Sequence, residues 1–324
     1  MSHRLRVVVL GGSGFVGRSL CARMVARGQG AAGRITVPTR RAVNARTVQY
    51  LPNVEPVQCD VHDAAQLDAV LAGQDAVVNL VAILHGNAAA FERVHVQLPQ
   101  RLAAACARAG VQRLVHVSAL GIDADAPSRY LRSKAGGEAA VRSGGVPWTV
   151  LRPSLIYGAA DRTLNLFAQM QAVLPVVPLA AADARFQPVW VEDVAEAIVR
   201  CLHAPAMAGA VIECTGPKVY TLAELVRTVG AIAGRARPVM PLPAAIARLQ
   251  AWLMELMPGE PLLSRDNLLS LSVPSVASGQ LPGLESLGIQ AGALEAVAPG
   301  WLAPLQGVTR FIPWRAVRLD SRSR

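Results

Sequence analysis

Three residues of this 324-residue chain have types and spacing suited to proton transfer at a carbonyl or alcohol oxygen: Ser118, Tyr130 and Lys134. Tyr130 and Lys134 stand four apart in "YLRSK", which places them on one helix face, one turn from each other. A free tyrosine titrates near ~10 and is a poor base at neutral pH. A neighbouring cation favours the phenolate and moves it toward the range useful for proton transfer. Ser118 would hydrogen-bond the substrate oxygen and orient it. The competing account is an unrelated pair on a capped surface helix.

Such residues need a frame. Ser118 closes the apolar segment "VQRLVHVSA" (111–119), and Tyr130 and Lys134 lie in a helical stretch, 128–143. Further strand patterns at 5–10, 34–38, 54–60, 75–83 and 146–154 alternate with helical ones at 14–26, 63–72 and 88–109. Strands alternating with helices imply right-handed crossovers, so the spacing predicts a doubly wound (Rossmann) parallel α/β sheet. After about residue 155 prolines multiply and the rhythm weakens, which predicts a smaller, mainly helical C-terminal lobe. A helix and strand at 186–203 and 209–216 return to the sheet. The expected division is 1–156 plus 186–216 for the parallel-sheet domain and 157–185 plus 217–324 for the lobe. Within the lobe, Thr221 and Glu224 form a capping box. The segment 243–257, apolar around much of its circumference with Arg248 and Glu255 as its charges, is expected to pack in the lobe. A membrane-surface or partner helix is the other account of it.

Four glycines crowd "LGGSGFVG". Gly11, Gly14 and Gly17 form G-x-x-G-x-x-G directly after a strand and directly before a helix. The first glycine permits a positive φ, the second lets a pyrophosphate approach the backbone, and the third lets helix and sheet pack closely. The helix N-terminus then presents free N–H groups and a partial positive charge to the phosphates. A tight turn with no ligand is the alternative. In NAD-selective domains the second strand ends in an acid that binds the ribose. Here it ends "TVPTRR", and Arg40 and Arg41 stand where a 2′-phosphate would sit, which favours NADP over NAD. Asp60, ending the third strand, is placed to contact the adenine. A nicotinamide cation would add to Lys134 in favouring the phenolate, and Lys134 could hold the nicotinamide ribose.

Composition excludes several other classes. The net charge is +10, almost all of it from arginine, since Lys134 and Lys218 are the only lysines. The arginines are scattered and no basic stripe interleaves with aromatics, so no nucleic-acid partner is expected. Five well-separated cysteines (Cys21, Cys59, Cys106, Cys201, Cys214) lack C-x-x-C pairing and suit reduced core positions in a cytoplasmic protein, with no metal site. "MSHRLR" leads straight into a strand, leaving no room for a signal peptide. No apolar run approaches the ~20 residues needed to span a bilayer; the best, 172–182, is broken by Pro175 and Pro178.

The glycine motif, Ser118, Tyr130-x-x-x-Lys134, "RPSLIYG" (152–158) and "VWVEDVAEAI" (189–198) occur in the order found in the short-chain dehydrogenase/reductase superfamily. The chain resembles its extended and atypical branch, the NAD-dependent epimerase/dehydratase-like proteins. "VPTRR", "YLRSKAGGEAAV" and "LRPSLIYGAADRTLN" are further similar to bacterial relatives of the nucleotide-binding accessory subunit of respiratory complex I. The resemblance implies that Gly11, Ser13, Gly14, Phe15, Val16 and Gly17 line the pyrophosphate, with Arg40 and Arg41 on the adenosine phosphate. It implies Asp60 and Val61 beside the adenine, and Leu80, Val81 and Ala82 beneath the cofactor. Pro153, Ser154 and Ile156 would meet the nicotinamide end, near Ser118, Tyr130 and Lys134. Two positions depart from the family pattern: Leu10 replaces a frequent Thr, and "NLVAIL" (79–84) replaces an Asn-Asn-Ala-Gly type segment. Two functions follow from the resemblance. One is an NADP(H)-dependent oxidoreductase or epimerase-like enzyme with a small-molecule carbonyl or alcohol substrate. The other is a nucleotide-binding scaffold or redox sensor, peripheral to the inner face of a membrane and attached to a respiratory complex.

Overall fold

In the computed structural model, which describes residues 5–27, 32–256, 259 and 261–303, the strand patterns assemble into one seven-stranded parallel sheet. Its first six strands are β1 (Leu5–Leu10), β2 (Ala32–Thr39), β3 (Val54–Gln58), β4 (Ala76–Asn79), β5 (Arg113–Val117) and β6 (Trp148–Pro153). Four short strands follow, β7 (Ile156–Tyr157), β8 (Val177–Leu179), β9 (Arg185–Phe186) and β10 (Val189–Trp190), and then β11 (Val211–Cys214), the seventh strand of the sheet. The order across it is β11-β6-β5-β4-β1-β2-β3. Val7 to Leu10 of β1 and Val77 and Val78 of β4 are almost wholly buried, as strands covered on both faces must be. Between β1 and β4 the strand succession reverses direction. That reversal opens a crevice beyond the carboxyl ends of the strands, the place where ligands bind in open α/β sheets.

Helices close both faces. On one lies α1 (Phe15–Arg27); on the other lie α2 (Ala64–Leu71), α3 (Ala88–Phe91), α4 (Leu98–Arg108) and α5 (Arg129–Arg142). The chain continues through α6 (Thr163–Val173), α7 (Val191–His203), α8 (Leu222–Ile232), α9 (Ala244–Glu255) and α10 (Arg265–Leu271). Helix α7 joins α1: Leu20 and Cys21 share a core with Val194 and Ile198. On the opposite face Leu67 and Leu71 pack with Leu102, Cys106 and Val141. A separate apolar cluster unites α6 and α8 through Leu164, Phe167, Leu225 and Val226, with Tyr157 and Leu302. The capping box of Thr221 and Glu224 forms as the sequence predicts. Strand pairs β7–β10, β9–β12 (Tyr220–Thr221) and β8–β13 (Val239–Pro241) brace this region, so it is less purely helical than composition suggests.

Four further expectations need correction or bounding. Strand β4 ends at Asn79 rather than running to residue 83, because the Asn79 side chain accepts the Val81 N–H at 3.1 Å and turns the chain. The segment 88–109 is not one regular helix: a π-helical turn, Glu92–Gln97, separates α3 from α4. Leu284, Leu287 and Ile289, from the segment assigned to the lobe, pack against the α1–α7 face of the sheet. Helix α9 does not bury its large side chains; Ala247 and Ala251 are its buried residues. The expected end of that helix at 257, most of the following turn and the arginine-rich tail lie outside the described residues. All five cysteines are buried, free thiols. Among the described residues no helix is long and apolar enough to cross a membrane.

Candidate functional site

The glycine loop sits at the strand reversal. Gly11 adopts φ +81°, and a Cβ there would lie 3.2 Å from Leu80, so the turn after β1 lies against the chain leaving β4. A Cβ at Gly17 would stand 2.3 Å from the Gly11 carbonyl oxygen, which no side chain tolerates. At Gly14, exposed at the head of α1, the nearest atom to such a Cβ is the Gly11 oxygen at 3.1 Å. At Gly11 a side chain would be strained, and at Gly14 and Gly17 it would crowd the backbone of the loop. Gly12 stands outside the three-glycine motif, yet a Cβ there would meet Val37 of β2 at 2.8 Å. The first intrahelical bond runs from Arg18 N–H to Gly14 O at 2.9 Å. The N–H groups of Phe15, Val16 and Gly17 precede it and have no acceptor within the helix. These donors, a glycine-bared surface and the positive end of a 13-residue helix fit a pyrophosphate. The Phe15 ring itself packs toward Gly158, so its main chain, not its side chain, faces the loop.

Arg40 and Arg41 are exposed just beyond β2, where Thr39 Oγ1 donates to Arg41 O at 3.0 Å and shapes the turn. Asp60 Oδ1 accepts the His62 N–H at 3.0 Å, and the Asp60 N–H bonds Gln66 Oε1 at 2.9 Å. His62 titrates below its ordinary range because it is partly buried and because Arg93, Arg40 and Arg101 press positive charge on it. Arg93, on the π-helical turn, and Arg101, which donates to His62 O at 3.2 Å, therefore share this basic rim with Arg40. The sequence does not show this, because Arg40 follows β2 while Arg93 and Arg101 lie in the distant segment 88–109. Val61 is half-buried beside Asp60.

At the other end of the crevice Lys134 is buried, and its Nζ donates to Val117 O at 2.8 Å, one residue before Ser118. Burial lowers the Lys134 pKa to about 8, while Glu138 one turn on opposes the shift. Glu138 is itself gripped by Arg152 through two bonds of 2.9 and 2.7 Å. Ser118 Oγ is buried and, among the described residues, has no hydrogen-bond partner. Tyr130 is half-buried on α5, and burial pushes its phenol up to about 12. The lysine is occupied with a backbone carbonyl, and desolvation sets the direction of the phenol's shift.

Sequence reasoning does not single out His95. The π-helical turn delivers it, buried, beside Tyr130, with ring centroids 5.6 Å apart and planes at 81°. Its Nε2 accepts the Ile83 N–H at 3.0 Å, and its Nδ1 lies 2.8 Å from Ser133 Oγ. Ser133 Oγ in turn donates to Tyr130 O at 2.8 Å, which fixes the ring as the neutral Nδ1–H tautomer. Burial, then the Lys134 charge, drives the His95 pKa down to about 3. The contact requires glycine in the facing helix: a Cβ at Gly137 would fall on the His95 carbonyl oxygen. The clue in the sequence was "AGGEA" inside a helical pattern.

The remaining expected positions line the same edge. Leu80 and Val81 are half-buried and Ala82 is exposed just beyond β4, where Leu80 N–H donates to Leu10 O at 3.0 Å. Pro153 ends β6 and Ile156 begins β7. Ser154 differs from the rest. Its hydroxyl donates to Ser275 O at 2.6 Å and accepts the Gln187 N–H at 3.1 Å, so that side chain ties loops together.

With the crevice, loop and side chains in place, comparison with known proteins adds the family. A model of the NAD dependent epimerase/dehydratase family matches residues 7–214, well over half of the chain. The chain belongs to that family. It is a short-chain dehydrogenase/reductase-like, NAD(P)-binding protein. Over 294 residues it is 33% identical to the mitochondrial subunit 9 of the NADH dehydrogenase (ubiquinone) 1 alpha subcomplex of Mus musculus, covering 89% of this chain and 77% of that one. It is 29% identical over 236 residues to a (4-alkanoyl-5-oxo-2,5-dihydrofuran-3-yl)methyl phosphate reductase of Streptomyces griseus, covering 71% and 74%. A nucleoside-diphosphate-sugar epimerase from Staphylococcus aureus superposes with a TM-score of 0.71 at 16% identity, over 91% of this chain and all of that one, and so shares the fold.

Proposed function

We propose that this family member binds NADP(H) and reduces a carbonyl group, or oxidises the corresponding alcohol, at Ser118, Tyr130 and Lys134. One observation carries the reading: the Ser118 hydroxyl is buried beside the lysine anchor yet has no partner among the described residues. Buried hydroxyls are normally satisfied, and an orphaned one in a crevice is a site waiting for a polar atom. A substrate oxygen is that atom. Ser118 would hold it, and Tyr130, kept protonated by burial, would pass its proton to the oxygen as negative charge develops there. Lys134 keeps its remaining N–H groups for a ribose hydroxyl and stabilises the phenolate left behind. The nicotinamide ring, when bound, supplies or accepts the hydride. The pyrophosphate is assigned to the N–H groups of Ser13, Phe15, Val16 and Gly17 beside Gly11 and Gly14. The adenine is assigned to the Asp60–Val61 turn, and a 2′-phosphate to Arg40 and Arg41 on their basic rim. Leu80, Val81, Ala82, Pro153, Ser154 and Ile156 would form the walls.

The test is Tyr130→Phe. The variant should bind NADPH like the parent and lose at least about a hundredfold in carbonyl-dependent NADPH oxidation across a panel of aldehydes, ketones and quinones. Absence of Tyr-dependent turnover from the whole panel would remove the enzymatic reading. A second reading then takes its place: an accessory protein of a respiratory membrane complex, with the nucleotide bound as a structural element. The 33% identity to the mouse subunit over most of the chain favours it.

A further inference from the structure

Helix α9 is built inside out. Its buried residues are Ala247 and Ala251, whereas Ile246, Leu249, Trp252 and Leu253 are 51%, 55%, 44% and 51% exposed, and Leu256 at its end is 65% exposed. At about 100° per residue these five fall on an arc of roughly 120°, diametrically opposite the two alanines. The small residues seat the helix close to the body, and its large apolar half projects as a ridge. The charged residues Arg248 and Glu255 sit along one flank of the ridge, and Gln250 borders the other.

The ridge does not stand alone. Glu255 accepts from both Nε and the backbone N–H of Arg265, at 2.8 and 2.7 Å, and so joins the end of α9 to the start of α10. Leu269 of α10 and Leu262 just before it are exposed as well. Asn267 Nδ2 donates at 3.4 Å to the carbonyl of Leu84, itself an exposed leucine in the loop beyond β4. Exposed leucines thus stand on α9, on and just before α10, and in the loop beyond β4, on elements that these bonds join. Clustered exposed apolar side chains of this kind mark an interaction site.

We infer that this face docks the protein on an anionic lipid bilayer, with α9 lying in the plane of the interface. Three observations select that occupant. The surface is a convex ridge, which sinks between headgroups without needing a complementary groove. Its pattern is interfacial: leucine, isoleucine and tryptophan outward, with an arginine at the flank whose head can reach the phosphates. And the chain carries a net charge of +10, while among the described residues the acids of α9 and α10 are engaged: Glu255 by Arg265, and Asp266 by the backbone N–H groups of Arg129 and Tyr130. Bilayer attachment is independent of nucleotide binding and stands or falls separately from the proposed chemistry.

The full-length protein is mixed with vesicles of phosphatidylcholine alone or with one third phosphatidylglycerol, and sedimented. Binding is expected to the anionic vesicles, to weaken as salt is raised, and to fall at least about tenfold in the double variant Leu249→Glu/Leu253→Glu. Both positions are exposed, so the variant should keep its thermal stability and its NADPH affinity. Brominated lipid should quench the parent's fluorescence and leave the Trp252→Phe variant substantially less quenched. Failure of the parent to bind anionic vesicles would overturn the inference. So would equal binding by the double variant, or a soluble dimer of the parent that the same two substitutions disperse, which would make the face a self-association surface.

Discussion

The His95 ring lies edge-on to Tyr130 and is hydrogen-bonded on both nitrogens, to the Ile83 N–H at 3.0 Å and to Ser133 Oγ at 2.8 Å. The relationship links the loop beyond β4 to the helix carrying Tyr130 and Lys134. Since Nε2 must remain an acceptor, the link exists only while the histidine is neutral.

That gives an acid-stability prediction. Unfolded, His95 takes up a proton near 6.5; folded, it resists until about 3. The unfolded state then binds more protons throughout that interval, so stability falls as pH drops through it. At pH 5 the cost is about 2 kcal/mol. Urea unfolding at pH 7 and pH 5 should show His95→Asn losing about that much less than the parent. Identical losses would show that His95 is not held neutral.

Lys134 works in the opposite range. Its folded pKa of about 8 lies below its unfolded value of 10.5, so the unfolded chain holds the extra proton between them and stability rises with pH across that window. Buried thiols such as Cys21 and Cys106, raised to about 12, oppose this above about pH 9 as unfolded cysteines ionise. The difference between the parent and Lys134→Met isolates the lysine. The parent should gain about 3 kcal/mol on the variant from pH 8 to 10.5. A flat difference curve would contradict the burial of a titrating amine.

Gly14 and Gly17 should separate binding from folding. Gly17→Ala drives a methyl to 2.3 Å from the Gly11 oxygen and is expected to cost at least about 2–3 kcal/mol in chemical denaturation. Gly14→Ala meets that oxygen at 3.1 Å; it should cost under about 1 kcal/mol yet weaken nucleotide affinity at least about tenfold. Equal effects of the two on stability would remove the distinction between a packing glycine and a ligand-facing one.

Asp266 caps α5 from another helix, accepting the Arg129 N–H at 2.8 Å and the Tyr130 N–H at 3.1 Å. Asp266→Ala should lower stability by about 1–2 kcal/mol and speed amide exchange in the first turn of α5. Unchanged exchange there would show that the helix start does not depend on α10.

Much of this was legible in the chain itself. The parallel sheet announced itself because β1, β4 and β5 are rich in Val and Leu with helical patterns between them, and Gly11, Gly14 and Gly17 lie at the junction of β1 and α1. What could not be read was set by long-range contacts. A histidine within 88–109 carries no local sign that a π-helical turn will rotate it onto Tyr130. Nor does a tyrosine four residues from a lysine reveal that the ammonium is committed to Val117 O. The basic rim of Arg40, Arg93 and Arg101 arises from strands and helices meeting in space. Helix α9 misled for a physical reason: composition gives the number of apolar side chains, but only packing decides whether alanine or leucine faces inward.

The central claim is that peptide N–H groups at the head of α1 hold a diphosphate while Arg40 and Arg41 hold a further phosphate on the adenosine ribose. Parallel calorimetric titrations with NADPH and NADH test it most directly. The account predicts one site per chain and at least about tenfold tighter binding of NADPH, a preference that Arg40→Ser/Arg41→Ser abolishes. No heat from either nucleotide, or NADH bound as tightly as NADPH by the parent, would contradict it.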